Sequence, residues 1–179
     1  MKQKNLRRTA LCGALAALAL GISYLETLLP LSIGIPGAKL GLANLVTVYA
    51  LYAIGAPEAG AVLAVRILLS ALLFSGPLPL LYSAAGGLCS FLIMWLLRRT
   101  DRFGVIAVSC CGGAIHNLGQ LCVAAIVLGT AGIGIWLPYL IPIGILTGGL
   151  NGFAAWLLLK RFPTGTDTVS RRQSDPIKP

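Results

Sequence analysis

The chain has 179 residues, of which 57% are hydrophobic and only 11% charged. A soluble domain carries about 25% charged residues, so this composition excludes a fold whose surface mostly faces water and makes lipid its solvent. The net charge of +9 does not signal nucleic acid, because the basic residues flank apolar runs and form no basic face with interleaved aromatics.

Lys2, Lys4, Arg7 and Arg8 precede a first apolar run over 9–29, interrupted only by Glu26. About 21 residues at 1.5 Å each cross a hydrocarbon core of about 30 Å. No clear small-residue cleavage site follows, so we expect an uncleaved first helix and not a secretory leader. Residues 30–37 are rich in Pro and Gly and act as a break. Further apolar segments follow over 39–54, 59–74, 78–97, 105–128 and 136–159. The second and third are short for a full span, and their boundaries are the loosest. The polar stretch 163–179 is rich in Ser, Thr and Pro and reads as a disordered cytoplasmic tail behind a single transmembrane domain, 1–162.

Six helices put every large basic cluster on one side. With the N-terminus inside, Arg98, Arg99 and Arg102 also fall inside, as do Lys160 and Arg161; an odd helix count would split them. The expected architecture is therefore an all-α membrane protein. It is a bundle of about six transmembrane helices, multi-pass in the cell membrane, with both termini cytoplasmic. Trp136 and Tyr139 fit the outer interface, and Trp95 and Trp156 the inner one.

Glycine, at 22 residues, recurs at helical spacing. Ala10 and Ala14, and Gly13, Ala17 and Gly21, form rows on the first helix; Gly144, Gly148 and Gly152 form one on the sixth. Such rows let helix backbones approach closely. They serve either packing within this bundle or, for the first helix, docking on another membrane protein. Cys12, Cys89, Cys110, Cys111 and Cys122 all lie in apolar runs without a C-x-x-C pair, and read as small packing residues.

Polar groups within these segments need a reason, since a central arginine costs about 2.5–3.5 kcal/mol on insertion scales. Arg66 lies midway along the third segment, with Ser70 four residues on and so on the same face. It serves either as a guanidinium fork for a substrate carboxylate or phosphate, or as a structural partner of Glu26. Lys39, Asn44 and Thr47 form a polar stripe descending from the outer start of the second segment, although Lys39 alone would simply snorkel. In the fifth segment His116 and Gln120 share a face, with Asn117 beside them and glycines nearby. One histidine without an acidic neighbour argues against a metal site. Tyr82, Gly86 and Ser90 on the fourth segment, and Thr147 and Asn151 on the sixth, are weaker signals that helix–helix hydrogen bonds also explain.

No Walker A sequence and no G-x-S-x-G elbow are present, so this chain does not itself hydrolyse ATP. The five acidic residues, Glu26, Glu58, Asp101, Asp167 and Asp175, include no adjacent pair for acid–base or magnesium chemistry. We expect no enzyme activity, no metal and no cofactor.

Residues 35–52, the Arg66 helix, Tyr82-Ser83-Ala84-Ala85-Gly86-Gly87 and Gly113-Ala114-Ile115-His116-Asn117-Leu118-Gly119-Gln120 together resemble the Gx transporter family. That family is also labelled heptaprenyl diphosphate synthase component I. The resemblance covers roughly residues 8–160. Its transporter label reflects similarity to the S components of energy-coupling-factor importers, which are six-helix proteins with an outward-opening pocket. These dock through a small-residue row on helix one onto a membrane scaffold driven by two ATPases. Ala10 and Ala14, or Gly13 and Ala17, would carry that docking here. Glu26, Lys39, Asn44, Arg66, Tyr82, His116, Asn117 and Gln120 would line the pocket, for a small molecule with an anionic group. The synthase label implies instead a membrane partner of a prenyl synthase subunit. The chain lacks the aspartate-rich motifs of prenyl elongation, so that role would be non-catalytic. A subunit of a membrane electron-transfer complex is a third reading; it would need a flavin or quinone, for which the sequence offers no signature.

Overall fold

The computed structural model describes residues 2–28 and 41–162, with side chains from Leu6 onward. Lys39, the break at 30–37 and the tail 163–179 lie outside the described residues. Among the described residues there are six α-helices and no strand. They are α1 (Lys2–Leu28), α2 (Asn44–Ala53), α3 (Ala56–Ser70), α4 (Pro77–Arg99), α5 (Val105–Leu128) and α6 (Leu137–Arg161). A π-helical turn, Ala71–Ser75, extends α3, and a 3-10 turn, Ala131–Trp136, leads into α6.

Five helical stretches are long and apolar enough to cross a bilayer, at 20 to 31 residues each. Their outer surfaces carry exposed Leu, Ile, Val and Phe, such as Leu72, Leu146 and Leu150. Such surfaces suit lipid and would be untenable in water. The chain is thus a multi-pass membrane protein. The exception is α2. Its ten residues rise only about 15 Å, half a hydrocarbon core. The apolar run suggested a helix from residue 39, yet Gly41 adopts a left-handed φ of 71° and residues 42–43 form a turn. The helix therefore starts at Asn44. By contrast α3 starts three residues earlier than the apolar pattern suggested, because Pro57 is accommodated in its first turn, where no helical donor is lost.

Eight of the ten residues of α2 are buried. It runs through the interior of the bundle, with Val48 and Leu51 packed against Leu15, Val62, Met94 and Val105. Lipid tails are as apolar as leucine, so the hydrophobic effect does little to hold these helices together; close packing does it. It is closest between α5 and α6. A Cβ placed on Gly144 would lie 2.6 Å from the Gly113 carbonyl oxygen, and one on Gly152 2.9 Å from Ile106 Cα. Ser109 Oγ donates to the Gly148 carbonyl at 2.6 Å across the same seam. The glycine row of the sixth helix is spent on this antiparallel contact.

Several contacts bring the basic clusters to one end. Arg8 meets Glu58 at 3.7 Å, joining the start of α1 to the start of α3. Arg98, at the end of α4, donates to the Leu51 carbonyl at the end of α2 and lies 5.1 Å over the Tyr52 ring. The last turns of α6 run past the start of α5, with Gly152 against Ile106, and Lys160 stacks 5.0 Å over Trp156 of its own helix. The other half of the bundle carries few charges.

Candidate functional site

In that other half, two adjoining clefts lie around the start of α2. The first has an inner volume of about 20 Å³, room for about one water, and is lined by Ser23 and Glu26 of α1, Arg66 and Ser70 of α3, Ser83 of α4, and His116 and Gln120 of α5. The second, of about 10 Å³, is lined by Asn44 of α2, Ser109, His116 and Asn117 of α5, and Thr147 and Asn151 of α6. Gly41 and His116 belong to both, so the clefts form one polar seam.

Helix geometry explains the convergence. Positions 116 and 120 are one turn apart, and the Gln120 Nε2 and His116 Nε2 atoms lie 3.1 Å from each other. That face lies directly on Gly86 of α4, where a Cβ would be 2.8 Å from the His116 carbonyl oxygen and 2.9 Å from Gln120 Cγ. The neighbouring Gly87 opens space for Ile67 and the Arg66 guanidinium of α3. The Gly86-Gly87 pair is the floor on which the charged and neutral groups meet.

These groups are buried yet incompletely matched. Arg66 is 7% exposed, and His116 and Gln120 are 6% exposed. Arg66 Nε, Gln120 Oε1, His116 Nδ1 and Asn44 Oδ1 have no hydrogen-bond partner among the described residues. An unsatisfied buried polar atom costs about 1–3 kcal/mol, so four of them in one seam mark a place that suits a polar ligand. Elsewhere the seam is tied to backbone. Asn117 Nδ2 donates to the Leu140 carbonyl at 2.8 Å and Asn151 Nδ2 to the Gly41 carbonyl at 2.9 Å. Glu26 Oε1 accepts the Leu42 N–H at 2.7 Å, fixing α1 to the approach of α2.

Of the residues that sequence singled out, Glu26, Arg66, His116 and Gln120 line the first cleft, and Asn44, His116 and Asn117 the second. Tyr82 is buried on α4 and lines neither. Lys39 lies outside the described residues. Thr147 and Asn151, weak signals in the sequence, join the seam, while Ser23, Ser83 and Ser109 do so without having been singled out. A serine in a membrane helix usually satisfies itself on its own backbone, so its sequence gives little warning. Ala10, Gly13, Ala14 and Ala17 are all exposed on α1. Among the described residues, no atom of another part of the chain lies within 4 Å of where a Cβ on Gly13 would stand. Among the described residues no group of three His, Cys, Asp or Glu side chains gathers to hold a metal.

No curated protein and no solved structure matches this chain significantly. A family model described as heptaprenyl diphosphate synthase component I matches residues 15–158. The matched stretch takes in the last four turns of α1, the whole of α2 to α5, and α6 as far as its last turn, so every residue lining the two clefts falls within it. It spans well over half of the chain, and the protein therefore belongs to the heptaprenyl diphosphate synthase component I family.

Proposed function

We propose that this protein is a membrane-embedded substrate-binding subunit, similar to the S components of energy-coupling-factor importers, that takes up a small molecule with an anionic group. The observation that carries this reading is the buried Arg66 guanidinium in a polar cleft at the end of the bundle opposite the basic clusters. A buried guanidinium is a costly group to keep in lipid, and its planar fork suits a carboxylate or phosphate. With the basic end in the cytoplasm, as the positive-inside rule favours, both termini are cytoplasmic and the cleft opens outward in the cell membrane. The open small-residue face of α1, with Ala10, Gly13, Ala14 and Ala17 exposed, is then the surface for a membrane scaffold coupled to ATPases. The chain contributes binding and no catalysis.

The family description favours a second reading, a non-catalytic membrane subunit that associates with a prenyl synthase subunit. Its contact surface would be the basic end, where Arg99, Arg102, Lys160 and Arg161 are exposed. Native mass spectrometry of the protein released gently from its own membrane separates the two. A scaffold and ATPases among its companions support uptake. A prenyl synthase subunit, with no small molecule retained, refutes it in favour of the second reading.

A further inference from the structure

The four open polar atoms of the seam fall into two complementary pairs. A guanidinium or amide N–H only donates, and an amide oxygen only accepts. Arg66 and Gln120 both line the first cleft. There Arg66 Nε–H is a donor, and Gln120 Oε1 an acceptor, without a partner among the described residues. The Gln120 amide is turned so that its Nε2 lies 3.1 Å from His116 Nε2. That turn suits the site, since it leaves the negative end of the amide dipole for the cleft that holds the guanidinium. Because Gln120 Nε2 donates, His116 Nε2 must accept, and the proton of the neutral ring stands on Nδ1. His116 and Asn44 both line the second cleft. There His116 Nδ1–H is the open donor and Asn44 Oδ1 the open acceptor.

Each cleft thus brings one donor and one acceptor to a space of about 20 Å³ or about 10 Å³, the size of a single water. A water accepts from the first and donates to the second. A buried water typically makes about three hydrogen bonds, and further partners are at hand. The hydroxyls of Ser23, Ser70 and Ser83 line the first cleft. Asn117 and Asn151 line the second, and each keeps one N–H beyond its bond to the Leu140 or Gly41 carbonyl.

We propose that a resident water in each cleft joins the seam into one hydrogen-bonded chain with a single direction. It runs from Arg66 Nε–H through the first water to Gln120 Oε1, and from Gln120 Nε2 to His116 Nε2. It continues from His116 Nδ1–H through the second water to Asn44 Oδ1, and from Asn44 Nδ2 to Ser90 Oγ at 3.4 Å. The chain links α3, α5, α2 and α4. His116 is a positioning residue in it, and its Nδ1–H form sets the direction. The inference concerns the protein without its ligand and does not depend on the uptake reading, which is judged by ligand retention.

His116 is the one histidine of the chain, so isotopic labelling of imidazole nitrogens reports on it alone. The full chain, freed of any polyhistidine tag, is measured by solid-state NMR in lipid bilayers. The expected spectrum has a protonated Nδ1, a bare Nε2, and a through-space cross-peak between Nδ1–H and water. With arginine labelled instead, Arg66 Nε–H, assigned by its loss in Arg66→Lys, should show a water cross-peak too. A proton on Nε2 overturns the direction, and a missing water cross-peak at either nitrogen overturns the chain. Gln120→Met keeps the length of the side chain but frees Nε2, so both tautomers should appear. An unchanged Nδ1–H form in that variant overturns the part given to Gln120. Asn44→Leu should fill the second cleft and abolish the Nδ1–H water cross-peak while the tautomer stays; a cross-peak that survives overturns the second water's place.

Discussion

The first and sixth helices carry the same sequence signature and put it to opposite uses. Both have small residues every four positions. On α6 the row Gly144, Gly148, Gly152 lies on the backbone of Ser109, Gly113 and Ile106. On α1 the row Gly13, Ala17, Gly21 is exposed, and no described residue lies within 4 Å of a Cβ on either glycine. A small-residue row states that backbones can approach, not which backbone does. Where the chain itself supplies the partner, the row builds the α5–α6 seam. On α1 no described residue covers the row, which is the docking face proposed above.

Matched substitutions break this comparison most directly. Gly144→Leu drives a side chain into the Gly113 carbonyl and Asn117 Nδ2, the latter 2.9 Å from the Cβ position. It should destabilise the chain by about 3 kcal/mol or more, read as loss of the folded monomer in thermal unfolding. Arg66→Leu comes next: ligand retention should vanish while the chain stays folded, with a loss of about 1–3 kcal/mol because the Glu26 carboxylate of the same cleft is left without its cation. Calorimetry in nanodiscs checks the size, and loss of the folded chain would assign Arg66 to structure instead. Asn151→Leu removes the tie to the Gly41 carbonyl and should cost about 1 kcal/mol, with faster hydrogen exchange at the start of α2. Gly13→Leu should change the stability of the isolated chain by less than about 0.5 kcal/mol, yet it should reduce co-purification of any membrane companion. Equal damage from Gly13→Leu and Gly144→Leu would erase the distinction between the rows.

Much of the fold is legible in the sequence because apolar length and flanking charge act locally. The five long helices and the gathering of Arg8, Arg98 and Lys160 at one end follow from them. The short α2 is less legible. Its apolar run continues upstream, but the left-handed turn at Gly41 overrides the pattern. Within the site, a buried Arg66 and the i, i+4 pair His116 and Gln120 stand out because polar groups in such runs are costly. Asn151 does not stand out: its partner, Gly41, is 110 residues away, and no periodicity connects them. Ser23, Ser83 and Ser109 are silent for a similar reason, since a hydroxyl is satisfied locally or across helices with the same sequence. His116, Gln120 and Ile67 pack against a pair of adjacent glycines, Gly86 and Gly87, a relation that only the assembled bundle shows.

The central claim is that the cleft around Arg66 holds a small molecule. The most direct measurement compares the bound mass in native spectra of wild-type protein and Arg66→Leu, each released from its own membrane at matched folding. A discrete small-molecule adduct on the wild type that is absent from Arg66→Leu is the predicted result. An adduct carried equally by both, or by neither, would contradict it.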